Sequence, residues 1–316
     1  MNVSIIGAGA FGTAIANSID KSHHITLYTR NKTLADHINA EHKNPSCFPH
    51  KKLSKKIVAT HEVEQIGDAD VVLLCLPSYG IPEFIQKCKF KKQTIIINGS
   101  KGFSTEGITI PEYLNANLNN EIGSLKGPSF ASELILEVPT SFTLAASSET
   151  LFHSLKTLFR KEIIVLDFTS NIKGVELVSI LKNVYAIVLG ISDACFNSPN
   201  TRFLTFTKAW HEMHQILEHY NISPKVLNCF AGIGDFGLTS LNDLSRNRTL
   251  GLLIGKGFFA NNINNSVILE GIRSVKFIIQ HLPEQLLNDL PLIFHLNELF
   301  NGQITTKVFM DKIIFE

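Results

Sequence analysis

Neither sign of charge is in real excess: 29 Lys and Arg stand against 28 Asp and Glu among 316 residues, a formal net charge of +1. That balance removes the general electrostatic case for a nucleic-acid or polyanion binder and leaves only a local basic pocket open. Cysteine is scarce, 5 residues in all (Cys47, Cys75, Cys88, Cys195 and Cys229), and no two form a C-x-x-C pair. An odd number at such wide spacing excludes a disulfide scaffold, and Cys75, inside an apolar run, reads as a reduced, buried thiol. Uncharged membrane-length runs are missing as well. The most apolar long stretch, Val175 to Phe196, carries Glu176, Lys182, Asn183 and Asp193. Charges at those depths are costly in lipid, so a buried helix of a soluble, cytoplasmic protein is expected there. Met1-Asn2-Val3-Ser4-Ile5-Ile6 has no basic segment leading into a long apolar stretch, so no secretory signal is expected. No metal site is expected either.

What is present is ample apolar material, 44% of the residues, against 18% charged. This suffices for a sizeable core, and the length suggests about two domains. The first half alternates short β-branched runs with helical patterns. Val3–Ile6, Ile25–Thr29, Val71–Leu76 and Thr94–Asn98 read as strands, with Thr140–Ala146 and Glu162–Leu166 extending the set. Phe11–Ile19 reads as a helix. Strands alternating with helices predict a parallel, doubly wound sheet. Beyond about Thr169 the runs at Val175–Ile191, Thr205–Tyr220, Arg246–Leu253, Val267–His281 and Leu290–Leu299 all suit a helical period. Domains over 1–170 and 171–316 are therefore expected.

Gly7-Ala8-Gly9-Ala10-Phe11-Gly12 is a G-x-G-x-x-G placed directly after a strand and opening a helix. In that setting the first glycine permits the tight turn, the second admits a pyrophosphate to the backbone, and the third lets helix and strand pack closely. A dinucleotide is the expected ligand. The second strand ends in Thr29-Arg30-Asn31 without the carboxylate that would hold the ribose hydroxyls of NAD. A guanidinium there suits a 2′-phosphate, which favours NADPH and leaves NAD as the second choice.

Leu177, Ile180, Leu181, Val184, Ile187, Val188 and Ile191 make a wide apolar stripe, while Glu176, Ser179, Lys182, Asn183, Ala186 and Gly190 share the other face. One lysine is thus concentrated beside one carboxamide. Asn98-Gly99-Ser100-Lys101-Gly102 follows a strand, where open α/β sheets place their ligands. Gly127-Pro128-Ser129-Phe130-Ala131 reads as a helix start with Pro128 in the first turn. Gly232-Ile233-Gly234-Asp235 is a second glycine-rich stretch, followed by Ser245-Arg246-Asn247-Arg248 with Ser245 as N-cap. Arg and Asn at such a helix start make a credible phosphate socket.

Taken in order, Gly7 to Gly12 with Thr13-Ala14, Ser100-Lys101-Gly102, Gly127 to Ala131, Gly174-Val175-Glu176, Lys182-Asn183, Gly234-Asp235, Ser245 to Arg248 and Glu270-Gly271 resemble the soluble, bacterial-type NAD(P)-dependent glycerol-3-phosphate dehydrogenases. The resemblance spans nearly the whole chain. It implies an N-terminal doubly wound Rossmann-type sheet with a C-terminal all-α domain. It also implies interconversion of dihydroxyacetone phosphate and sn-glycerol 3-phosphate with NADPH or NADH, supplying glycerol 3-phosphate for glycerophospholipid synthesis. By resemblance Lys182 is the catalytic acid/base, Asn183 and Lys101 line the substrate, and Asp235 orients the lysine and a hydroxyl. Gly127, Ser129, Thr239, Ser245, Arg246 and Asn247 match glycerol-phosphate contacts. Gly7, Gly9, Ala10, Phe11, Gly12, Arg30, Lys101, Ala131, Arg246, Ile268 and Glu270 fall at cofactor positions. The implied partner is a small phosphorylated triose, with no nucleic acid and no membrane insertion, and a homodimer stays open. The residues by themselves also admit a two-domain reductase of another small oxo acid, or an NADPH-sensing binding protein without catalysis.

Overall fold

The β-branched runs form strands where both faces of the chain can be covered. The computed structural model describes residues 1–258 and 266–315, with the side chains of 266–270 outside the description. It divides into two units, residues 1–176 and 177–316. The first holds strands β1 (Asn2–Ile6), β2 (His24–Tyr28), β3 (Ile57–Thr60), β4 (Val71–Leu74), β5 (Ile95–Asn98), β6 (Glu121–Lys126), β7 (Thr140–Ala145) and β8 (Ile164–Thr169). Between them run helices α1 (Ala10–Ser18), α2 (Lys32–Glu41), α3 (Ile81–Lys87), α4 (Ile110–Asn117), α5 (Ala131–Leu134) and α6 (Glu149–Lys156).

The strands lie in one sheet in the order β3-β2-β1-β4-β5-β6-β7-β8. Neighbours pair in parallel except β6 with β7, which are antiparallel, so the expected parallel sheet carries a reversed pair at one end. Alternate residues feed two separate cores. Val71 and Leu73 pack into one with Val3, Ile5 and Leu27, whereas Val72 and Leu74 pack into the other with Ile6 and Ile96. Burial on both faces is why these strands read as unbroken apolar runs. The chain order reverses between β1 and β4, and at that switch point the C-terminal strand ends open a crevice.

Helix α7 (Ile172–Phe196) begins in the first unit and continues into the second, which holds α8 (Pro199–His219), α9 (Asp235–Leu241), α10 (Arg246–Gly255), α11 (Ser266–His281), α12 (Glu284–Asn288), α13 (Pro291–Phe300) and α14 (Thr306–Phe315). Among the described residues this unit has no strand. By length and composition α7 could cross a membrane, yet 94% of its most apolar window is buried inside the structure. Its polar face is buried too: Glu176, Ser179, Lys182 and Ala186 are all shielded from solvent alongside the apolar stripe.

Glu212 on α8 shows how this unit satisfies a helix end. Helix α13 has Pro291 at its start and no side-chain cap of its own. The buried Glu212 carboxylate supplies one, accepting the N–H groups of Leu292 (2.6 Å) and Ile293 (3.3 Å) and the hydroxyl of Tyr185 (3.0 Å). Burial pushes the Glu212 carboxyl up to about 8, against the pull of these donors and of Lys208. A carboxyl whose pKa is raised on folding holds its proton more tightly in the native state. Its contribution is complete below the unfolded value and is lost as pH rises toward 8. Glu212→Gln, which cannot titrate, should therefore flatten the decline in stability between pH 5.5 and pH 8.5 by on the order of 2–3 kcal/mol. Urea midpoints of both proteins at the two pH values measure this, and parallel declines would reject it.

Candidate functional site

In the first unit the glycine motif is built by close approaches. Gly7 has φ +113°, and a Cβ there would lie 2.7 Å from the Cys75 carbonyl oxygen. A Cβ on Gly12 would lie 2.0 Å from the Gly7 oxygen, so only glycine lets α1 start against the end of β1. Gly9 differs: a Cβ there would meet nothing within 4 Å, because it faces open space. That space is a cleft of about 610 Å³ lined by Gly7, Ala8, Gly9, Tyr28, Thr29, Arg30, Asn31, Cys75, Leu76 and Pro77. Helix α1 opens onto it with no side-chain cap and no acidic residue in its first turn, leaving N–H donors for an anion. Asn31 caps α2 by accepting the Leu34 N–H at 3.1 Å, while its neighbour Arg30 stands exposed at the rim. These residues fit a dinucleotide: Gly9 leaves backbone open to a pyrophosphate, and Arg30 offers a guanidinium at the rim.

Other positions of the first unit singled out in the sequence have different surroundings. Ala10 is exposed, and Phe11 packs toward Phe142, with ring centroids 6.2 Å apart. Ala131 begins the short helix α5, so the helix starts three residues later than Pro128 predicts. The cause lies at Gly127, where a Cβ would lie 2.5 Å from the Ser141 oxygen. There the chain is pressed against β7. Ser129 donates its hydroxyl to the Gly127 carbonyl at 3.3 Å.

A buried charge pair that sequence reasoning missed lies at the C-terminal ends of β5 and β6. Lys126 Nζ sits 2.8 Å from Glu176 Oε1 and donates to the Asn98 carbonyl at 2.9 Å, both side chains being fully buried. Asn98 donates its amide to the same carboxylate at 2.9 Å, and the Ser124 hydroxyl donates there too. Burial pulls the Lys126 ammonium below the usual lysine range, the Glu176 carboxylate opposes this, and the nearby Lys101 charge adds to it. Lys101 itself is half-buried. A signal existed in the sequence: a single carboxylate bordering the long apolar stripe of α7 needs a partner. Beside this group desolvation pushes the Cys75 thiol up to about 12; the side chain is half-buried, not fully buried as its apolar run suggests, and borders the cleft.

The second unit gathers another set. Lys182 is 1% exposed and forms a salt bridge with Asp235 Oδ1, while donating to Thr239 Oγ1 at 3.1 Å. Thr239 in turn donates to Asp235 Oδ1 at 3.4 Å. Asp235 opens α9, one turn before Thr239, so a single helix end presents both partners. A wide turn over Phe230–Gly234 leads into it. There Gly232 is obligatory, since a Cβ would lie 2.1 Å from the Leu227 oxygen. Asn183 is half-buried and donates to the Ser179 carbonyl at 3.3 Å. Ser245 caps α10 as expected, accepting the Arg248 N–H at 3.3 Å. Arg246 is exposed and Asn247 half-buried at that helix start, whereas Arg248 turns inward and is buried. The side chains of Ile268 and Glu270 lie outside the described residues. Among the described residues no group of three or more metal-ligating side chains is assembled.

Comparison with known proteins agrees with this division. The family model described as the NAD-dependent glycerol-3-phosphate dehydrogenase N-terminus matches residues 2–152, and that of the C-terminus matches residues 171–311. An NAD(P)+ glycerol-3-phosphate dehydrogenase of Teredinibacter turnerae is 31% identical over 312 residues, covering 96% of this chain and 92% of its own. One from Methanothermobacter thermautotrophicus is 32% identical, with 93% and 91% covered. The crystal structure of a glycerol-3-phosphate dehydrogenase from Coxiella burnetii superposes with a TM-score of 0.90 at 24% identity, covering 100% of this chain and 99% of that one. The fold is therefore the one seen in that structure, and by sequence the chain belongs to the NAD-dependent glycerol-3-phosphate dehydrogenase family.

Proposed function

We propose that this protein interconverts dihydroxyacetone phosphate and sn-glycerol 3-phosphate, with NADPH preferred over NADH. The first domain, 1–170, binds the dinucleotide, and the helical domain, 171–316, supplies the catalytic and phosphate-binding groups. The observation that carries this reading is the buried Lys182 ammonium held between Asp235 and Thr239. A ketone under hydride attack develops negative charge on oxygen, and a fixed ammonium stabilises and then protonates that oxygen. The nicotinamide, when bound, supplies the hydride to the ketone carbon. Lys182 gives its proton to the ketone oxygen, yielding the secondary alcohol, and recovers a proton afterwards. In the reverse direction Lys182 first gives its proton to solvent, and the neutral amine then accepts the hydroxyl proton.

Asp235 keeps Lys182 charged and aimed, and Thr239 fixes the second of the ammonium's donors. Asn183 and Lys101 line the substrate. Arg246, Asn247 and Ser245, with Gly127 and Ser129, hold the phosphate and glycerol oxygens, anchoring the substrate remotely so that its carbonyl stays aligned. Gly7, Gly9, Ala10, Phe11, Gly12, Ala131, Ile268 and Glu270 form the dinucleotide site, with Lys101 and Arg246 shared between cofactor and substrate. Arg30 pairs with the 2′-phosphate, which is the basis of the NADPH preference. The work is done in the cytoplasm, where the product serves as the glycerol backbone of phospholipids.

A spectrophotometric assay tests this directly. NADPH absorbance should fall on adding dihydroxyacetone phosphate and scarcely change with unphosphorylated dihydroxyacetone at equal concentration. Replacing NADPH by NADH should lower kcat/KM by about tenfold or more, as loss of a charge-assisted bidentate pair implies. No oxidation with either cofactor would sink the enzymatic reading, and equal rates with the two ketones would sink the phosphorylated substrate.

A further inference from the structure

The inward turn of Arg248 belongs to a cluster of charges that the reaction does not use. Its Nη1 forms a salt bridge with Asp193 Oδ2 and reaches the Ser240 carbonyl at 3.3 Å, while its Nε lies 3.1 Å from Asp243 Oδ1. Arg202, in the first turn of α8, closes on the same Asp193 from another side, its Nε 2.7 and 3.0 Å from the two carboxylate oxygens. Asp193 is 3% exposed in its side chain and Arg248 7%, whereas Arg202 is 28% exposed. A carboxylate buried between two guanidiniums is expensive to assemble, and replacing such a group by apolar residues is often neutral or stabilising. Stability alone therefore does not account for it.

Its location suggests what it does. Asp193 lies on α7, about three turns beyond Lys182. Arg248 lies in the first turn of α10, within two residues of Arg246 and Asn247. The cluster thus ties the phosphate-facing end of α10 to the helix that carries the acid/base. The backbones are also pressed together at the same level. A Cβ on Gly190 would lie 2.3 Å from the Arg248 oxygen, and one on Gly251 would lie 2.1 Å from the Ile187 oxygen. Contact without intervening side chains fixes how closely the two helices approach. By itself it leaves the rotation and slide of α10 to be set by something directional, and the Arg248 guanidinium, with Nη1 on Asp193 and Nε on Asp243, is directional.

We propose that Asp193, backed by Arg202, is a positioning residue for substrate phosphate recognition, holding the start of α10 in the register that presents Arg246 and Asn247 to the phosphate. This rests on the phosphate-gripping role given to Arg246 and Asn247 above. Asp193→Asn keeps the shape and removes the charge, leaving Arg202 and Arg248 to repel each other. Displacing the grip by a fraction of an ångström should raise KM for dihydroxyacetone phosphate about tenfold or more. The kcat/KM for unphosphorylated dihydroxyacetone, which uses no phosphate grip, should fall far less than that for the phosphorylated ketone. Arg202→Gln removes only the outer, partly exposed partner, disturbs the fold least, and should shift the same KM by roughly threefold.

Arg246→Ala is the reference. If it raises KM for the phosphorylated ketone while Asp193→Asn and Arg202→Gln leave that KM unchanged, the positioning role is overturned and the phosphate reading survives. The positioning role is likewise overturned if those two variants lose activity toward both ketones in parallel, which is what a damaged fold produces. If Arg246→Ala itself leaves the KM unchanged, the phosphate reading falls, and the positioning role with it.

Discussion

Lys182→Met is expected to lower kcat for dihydroxyacetone phosphate by about a thousandfold or more while leaving NADPH binding nearly intact. The loss combines two effects of the missing ammonium: no proton donor for the ketone oxygen and no positive charge beside it as it becomes an oxyanion. The structure adds a complication that the experiment must remove. With Lys182 gone, Asp235 is a carboxylate with 2% side-chain exposure that has lost its cationic partner. Breaking a buried pair in this way costs about 3–5 kcal/mol, so the single variant could lose activity simply by unfolding. The double variant Lys182→Met, Asp235→Asn separates the two causes. It replaces both charges with neutral groups of similar volume and should recover most of the stability, read from a urea midpoint. It should recover none of the turnover. Restored turnover in a stable double variant would falsify the acid/base role, since the pair would then be serving the fold alone.

The parts of this site legible in the sequence were those governed by neighbours in the chain. Gly7, Gly9 and Gly12 announce themselves because all three fall within six residues of one strand-to-helix turn, even though the backbone that Gly7 must clear belongs to distant Cys75. Ser245 announces itself because a cap and its helix are adjacent. Strands β1, β4 and β5 were visible because burial on both faces leaves mostly β-branched and other apolar residues in them. What the sequence concealed depends on partners far along the chain. Strand β6 escapes a period-based reading because Gly123, Ser124 and Lys126 interrupt its apolar pattern. Lys126 is tolerable inside only because Glu176, 50 positions later, meets it there. Strand β3 is merely four residues long at a sheet edge, with Val58 exposed, and carries little signal. The delay of α5 past Pro128 is set by β7 pressing on Gly127, which no local propensity encodes. Within Ser245-Arg246-Asn247-Arg248 the residue types gave no means of telling the outward arginine from the inward one. Asp193 decides that from another helix.

That division between two arginines two positions apart sets up the second large effect. Arg246→Ala should reduce kcat/KM for dihydroxyacetone phosphate by about a hundredfold or more, corresponding to roughly 3 kcal/mol of lost phosphate contact. Its urea midpoint should barely move. Arg246 is exposed at the first position of α10, where alanine is an excellent helix former and Ser245 keeps its cap to the Arg248 N–H. Arg248→Ala inverts the pattern: it strips Asp193 and Asp243 of their shared partner and should be read first as a loss of stability, by about 3 kcal/mol or more. Arg246→Lys should recover only part of the activity, because an ammonium supplies the charge without the planar fork that pairs with two phosphate oxygens. With unphosphorylated dihydroxyacetone these Arg246 differences should shrink to what Arg246 contributes at the cofactor. A phosphate grip predicts that contrast between the ketones, and an arginine acting only on the ketone or on the nicotinamide would not show it. Measuring kcat/KM for both ketones across Arg246→Ala and Arg246→Lys therefore decides between the two. An equal loss with each ketone would assign Arg246 to the reacting centre instead of to the phosphate.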